Sequence, residues 1–319
     1  IARRCLFCTD DRHAADIMER GHIAGILRDA VALGLDPMTA VTMATLNAAE
    51  CYGLRDRGAV APGKRADLVL VEDLKDFRVT DVWSGGARVA GEGSLTAPCE
   101  RTDLAEVAAS VRLAPFTEAD FAVLAPSGRA RVIGLEPHSL ITTELIEEVT
   151  VEADGRVMLE KNPGLLKLVV LERHRATGRH GVALLDRRYG LRNGAIATSI
   201  AHDSHNIVVA GDSESDMAAA VRAVEAMGGG IAMVSSGDVL ASLPLPVGGL
   251  MSDAAPSEVA ASLRDLIALA RDHFGIWEKA DAFMTLSFLA LPVIPKLKLT
   301  ADGLFDAEKF TFVPTDAPA

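Results

Sequence analysis

Arg4-Cys5-Leu6-Phe7-Cys8-Thr9-Asp10-Asp11-Arg12-His13 is a short apolar run that stops at two adjacent carboxylates. Such a run reads as a buried strand delivering acids to its C-terminal end, where α/β folds place their chemistry. Helical patterning follows over residues 14–32, so the local order is strand, acidic turn, helix. The same residues also fit an N-terminal turn whose Asp side chains cap the next helix. The local pattern leaves both readings open.

Working outward, Ile23, Ile26, Leu27, Ala30 and Val31 recur at helical spacing, and Gly34 is a natural stop. Asp36-Pro37 reads as an N-cap and first helical residue, opening a helix to about Cys51 that Gly53 ends. Residues 54–97 change character, with strands expected over 66–71, 77–83 and 87–90, and a hairpin turn at Ser84-Gly85-Gly86. Residues 98–102 read as a linker, and 103–319 as a separate α/β domain. Strands are expected there over 130–135, 166–172, 181–185 and 206–209. A strand–turn–helix–strand unit ends in residues 231–234, with Asp212 or Ser213 capping its helix. An amphipathic helix over 256–273, a helix over 276–289 and a Pro-interrupted extended tail complete the pattern.

The chain has 319 residues and a formal net charge of −12. Nucleic-acid and anionic-membrane binding rely on a Lys/Arg excess, so this balance argues against both. Hydrophobic residues make up 49% but aromatics only 4%, an aliphatic composition suited to a sizeable α/β core. No run of about 18 apolar residues is present, so no transmembrane span is expected. Cys5 and Cys8 form a C-x-x-C without the second pair that a zinc site needs. Buried, reduced thiols are the expectation, which implies a reducing cytoplasm. A core strand directly after Ile1 suggests the C-terminal part of a longer polypeptide.

Several blocks occur in the same order in the adenine deaminases of the amidohydrolase superfamily. They are Phe7-Cys8-Thr9-Asp10-Asp11, Gly21-His22-Ile23, Asp36-Pro37, Ala44-Thr45-Leu46-Asn47-Ala48-Ala49 and residues 58–68, which contain Ala61-Pro62-Gly63-Lys64-Arg65-Ala66-Asp67. The last is superfamily-wide. Residues 194–206, ending Ala201-His202-Asp203-Ser204-His205-Asn206, and Glu172-Arg173-His174 with Thr177-Gly178 resemble adenine deaminases specifically. The resemblance covers nearly the whole chain. It implies that residues 1–53 are the last strand and helices of an amidohydrolase (β/α)8 barrel and 54–97 part of its small β domain. Residues 103–319 would be an adenine-deaminase-type C-terminal α/β domain.

By that resemblance Asp10 is a ligand of a divalent metal and the group that moves the proton. A metal lowers the pKa of its water toward 7, and a nearby carboxylate can take that proton and pass it to the leaving amine. Asp11 would hold the imidazole side of adenine, or else cap the following helix. His13 and His22 would orient metal ligands or substrate from behind; His22 matches the family block and is the better candidate. His202, Asp203 and His205 would close the active site, or form a hydrogen-bonded turn into the next strand. Two histidines three apart do not share a strand face, which argues for a turn. Gly211-Asp212-Ser213-Glu214-Ser215-Asp216 is similar to a phosphatase metal loop, but the required upstream D-x-D motif is missing, so these residues read as helix capping and a first-turn acid.

The resemblance implies metal-dependent deamination of adenine to hypoxanthine and ammonia in purine salvage. The metal would be Mn2+ or Fe2+, as a binuclear pair. One carboxylate does not hold such a pair. Activity would therefore need the N-terminal half of the barrel, in the same polypeptide or a partner chain, and this chain alone is expected to be inactive. A cytoplasmic homo-oligomer is expected, with no nucleic-acid or membrane partner. The alternatives are another amidohydrolase acting on a related amino-purine or cyclic amide, and a non-catalytic assembly module.

Overall fold

A computed structural model describes residues 1–10, 12–96, 102–108 and 110–317. The chain divides into two units, Ile1–Thr102 and Asp103–Ala319.

The first unit begins with a single 3-10 turn, Ala2–Arg4, and then an extended run to Asp10. That run is not a strand. Strands need a neighbour to take their backbone hydrogen bonds, and here the backbone bonds recorded are Phe7 N–H to the Met43 carbonyl at 3.2 Å and the closing bonds of the first turn. Four helices follow: α1 (Ala14–Arg20), α2 (Ile23–Ala32), α3 (Pro37–Ala44) and α4 (Leu46–Cys51). The sequence pattern merged α1 with α2 and α3 with α4. Gly21, at φ +81°, breaks the first pair, and Thr45 the second. Asp36 caps α3 as expected, accepting the Thr39 N–H at 2.8 Å with Pro37 at the first helical position. Leu27 and Ala40 are buried with Phe77, and Phe7, Ile23 and Val41 pack against them. Strands β1 (Leu68–Val71), β2 (Val79–Ser84), β3 (Ala87–Gly91) and β4 (Ser94–Leu95) form an antiparallel meander. Gly85 and Gly86 both take positive φ, the conformation a two-residue hairpin turn requires.

The second unit is built on an eight-stranded sheet. Its strands are β5 (Arg129–Leu135), β6 (Thr142–Glu148), β7 (Leu165–Leu171), β8 (His180–Asp186), β9 (Ala195–Thr198), β10 (Ile207–Gly211), β11 (Gly230–Ser235) and β12 (Asp238–Pro244). They are ordered β12-β11-β9-β10-β7-β8-β5-β6 and all antiparallel except β5 with β8. Helix α5 (Glu214–Ala226) connects β10 to β11, which run parallel to each other with β9 between them. This is the strand–helix–strand unit expected from sequence, opened by one inserted strand. Helices α6 (Pro256–Asp272) and α7 (Ala282–Phe288) precede a small sheet of β13 (Leu297–Thr300), β14 (Gly303–Asp306) and β15 (Thr311–Phe312).

Every residue of β7 is buried, and its alternation assigns the two faces. Leu166, Leu168 and Val170 point into the core shared with Leu263 and Leu266 of α6 and Phe283 and Leu286 of α7. Val169 and Leu171 point to the other face, against Met217, Val221 and Val224 of α5. Each fully buried aliphatic side chain contributes about 1.5–3 kcal/mol, so the sheet is fixed from both sides. Lys167 also lies on the α5 face, where its ammonium bonds to Glu214. Among the described residues, no helix is long and apolar enough to cross a membrane.

Candidate functional site

Asp10 is exposed at the end of the extended run. The neighbouring Thr9 hydroxyl and His22 Nε2 are 2.8 Å apart, which brings together two blocks separated by thirteen positions. His22 stands at the N-terminus of α2, where the chain turns after Gly21. Arg12 donates to the Gly21 carbonyl at 3.1 Å and closes the same turn. The run before Asp10 is held by a residue that sequence reading did not single out. Asn47, 6% exposed on α4, donates from its amide to the Ala2 carbonyl at 2.9 Å and the Cys5 carbonyl at 2.7 Å. Its presence in the Ala-Thr-Leu-Asn-Ala-Ala block was the available signal. Asp11 lies outside the described residues. Cys5 is half-buried and Cys8 exposed, both as free thiols, where buried thiols were expected.

In the second unit, residues 202–204 form a turn between β9 and β10. The turn splits the block. His202 packs its ring on Phe288, with centroids 4.5 Å apart, and on His205 at 5.5 Å. Burial pushes the His205 imidazole below its ordinary pKa, and the positive potential of His202 and Arg173 adds to this. Asp203 is exposed and instead borders a cleft with Ser204 and Asn206. Among the described residues, no group of three His, Cys, Asp or Glu side chains is placed to hold a metal ion. The described residues therefore do not by themselves fit a metal centre.

Arg173 holds the end of this turn, and its neighbour Glu172 orders the loop that follows it, residues 174–177. The Arg173 guanidinium, 1% exposed, donates to the His205 carbonyl, to the Gly248 carbonyl at 3.0 Å and to the Ser110 hydroxyl at 3.3 Å. Glu172 is almost as buried. Burial alone would raise its pKa, but the N–H and hydroxyl of Thr177 and the N–H groups of His174 and Arg175 hold its carboxyl at about 2. In the Gly211–Asp216 segment the side chains of Asp212, Ser213 and Asp216 bind backbone. Asp212 accepts the Asn193 and Gly194 N–H groups, each at 2.8 Å, and Ser213 caps α5. Asp216 reaches the Ser236 and Gly237 N–H groups beyond its own helix.

Residues 139–311, more than half of the chain, match the adenine deaminase C-terminal domain. This chain belongs to that family. Residues 3–89 match the amidohydrolase family, whose members generally use a divalent metal. Across 98% of its length the chain is 53% identical to an adenine deaminase of Nitratidesulfovibrio vulgaris, covering 54% of that protein. It is 45% identical to one from Desulfatibacillum aliphaticivorans over 98% of the chain and 54% of the relative. The adenine deaminase of Geobacillus kaustophilus is 44% identical over 99% of the chain and 55% of the relative. The chain thus spans about half the length of the curated relatives it matches, in an adenine deaminase family defined here by its C-terminal domain and a preceding amidohydrolase segment.

Proposed function

We propose that this chain is part of a metal-dependent adenine deaminase, which converts adenine and water to hypoxanthine and ammonia in cytoplasmic purine salvage. The observation that carries this reading is the 53% identity to an adenine deaminase over 98% of the chain. The amidohydrolase match over residues 3–89, which include Asp10, supports the same chemistry.

Asp10 is the residue we assign to the reaction. Its carboxylate takes a proton from the attacking water and returns it to the departing amine, one group serving both transfers. It is also the ligand this chain would contribute to a manganese or iron pair. The other ligands would come from the N-terminal barrel half, in the same polypeptide or a partner chain, and without them the 319 residues are inactive. Thr9 and His22, bonded to each other, set the course of the chain next to Asp10. The active unit is a homo-oligomer on this reading.

The test is a panel of adenine, other amino-purines and cyclic amides, offered to a protein spanning the full length of the relatives and containing this chain. Ammonia release with a kcat/KM highest for adenine supports the assignment. A clear preference for another amino-purine or a cyclic amide overturns the substrate and leaves the amidohydrolase chemistry.

A further inference from the structure

The second unit contains a cleft of about 520 Å³, within the ~300–1,000 Å³ common for small-molecule sites. Its lining includes the apolar residues Ala290, Leu291, Pro292 and Val293 and the polar residues His174, Asp203 and Asn206.

Asn206 is 7% exposed, and its amide orientation is set from within, because its Oδ1 accepts the Arg173 N–H at 3.4 Å. Its Nδ2 has no hydrogen-bond partner among the described residues and is not among the sealed polar atoms. The donor half of this amide is thus open to an acceptor that enters the cleft. The Ser204 carbonyl, 2.8 Å from His174 Nε2, can only accept, so Nε2 carries the hydrogen and Nδ1 is left as an acceptor. The Asp203 carboxylate is a second acceptor. The cleft thus offers a fixed donor, two acceptors and an apolar lining.

The charges of the lining narrow the choice. Glu172, Asp203 and Asp302 stand against Arg175 and Arg179, and Arg179 is already paired with Asp302 at 2.8 Å. This balance does not favour an anion. Both Glu172 oxygens are engaged by hydrogen bonds and Asp302 is paired with Arg179, which leaves no pair of open carboxylates for a cation. A neutral, planar heterocycle bearing an amino group fits what remains. Its ring nitrogen accepts from Asn206, its amine donates to Asp203 or His174, and its face lies on Leu291–Val293.

We propose that this cleft binds an amino-purine base, read by Asn206, in the C-terminal unit itself. The choice of a purine among amino-heterocycles rests on the adenine reading above; the donor–acceptor pattern does not.

The test is calorimetric titration of the 319-residue chain with adenine and, separately, hypoxanthine, which lacks the amine. Asn206→Asp keeps the oxygen that Arg173 uses and removes the donor. The proposal expects saturable adenine binding, weaker hypoxanthine binding, and at least about a tenfold loss in Asn206→Asp with an unchanged urea midpoint. Absence of adenine binding, hypoxanthine binding as tight, or an Asn206→Asp variant that binds like the parent overturns it. Should that variant not fold, the methyl resonances of Leu291 and Val293 in the unaltered chain decide instead. Adenine must shift them more than those of Leu166 and Leu168, and equal or absent shifts refute the site. Adenine turnover by the longer protein without binding here removes the cleft and leaves the deaminase; binding without turnover does the reverse.

Discussion

The side-chain amide of Asn47 lies 2.7 Å from the carbonyl of Cys5, five residues before Asp10. A helix in the first unit thereby holds the extended run that ends at the proposed catalytic carboxylate. The run has little regular pairing of its own, so this side chain substitutes for part of a sheet ladder.

Asn47→Ala leaves the Ala2 and Cys5 carbonyls without that donor. We expect a loss of about 1–3 kcal/mol in the first unit, read as faster amide exchange at residues 5–9. Exchange unchanged from the parent contradicts this positioning role.

His22→Ala removes the partner of the Thr9 hydroxyl next to Asp10. In the full-length protein we expect deaminase activity to fall about 10–100-fold, the size typical of groups that orient a site from behind. Thr9→Val should give part of the same loss. Full activity in both variants would make the contact incidental.

The Glu172 carboxyl titrates at about 2 in the folded chain against an ordinary value of 4.5. A carboxyl whose folded pKa is depressed stabilises fully above the unfolded value and loses that contribution as pH falls toward the folded one. The gap corresponds to roughly 3 kcal/mol at most. Urea midpoints of the parent and Glu172→Gln should therefore differ most at pH 7 and converge between about pH 4.5 and 2. A difference independent of pH would show that the hydrogen bonds do not favour the carboxylate.

Arg173→Ala frees the His205 and Gly248 carbonyls inside the second unit, and we expect a loss of about 3 kcal/mol in urea unfolding. Arg173→Lys should recover less than half, since an ammonium cannot reproduce the fork. Gly249→Ala tests the same contact from the other side. Gly249 has φ +74°, and an added methyl would come within 2.6 Å of the Arg173 guanidinium. A Lys variant as stable as the parent would refute the need for the fork.

Local chemistry made much of this fold legible. The Asp36 cap, the Gly85-Gly86 hairpin, Ser213 before α5 and β7, apolar but for Lys167, are all written in neighbouring residues. Three strands of the eight-stranded sheet escaped for different reasons. In β9, Ala-Ile-Ala-Thr has weak strand preference but is fully buried between β10 and β11. The strands β6 and β12 lie at the two edges of the sheet, where exposed and charged side chains blur the alternation. At the site, the turn at residues 202–204 followed from histidine spacing. The division of that block, with Asp203 and Asn206 on the cleft and His202 packed on Phe288, depends on α7, more than eighty residues away. The partners of Asn47 and Asp216 are tertiary in the same way.

The most direct test of the account is ammonia release from adenine with added manganese, in a protein spanning the full length of the relatives, in its Asp10→Asn variant and in the 319-residue chain. The account predicts turnover in the first and a loss to background in the other two. Undiminished turnover in the Asp10→Asn variant would contradict the role of Asp10, and absence of adenine turnover in the long protein would contradict the function itself.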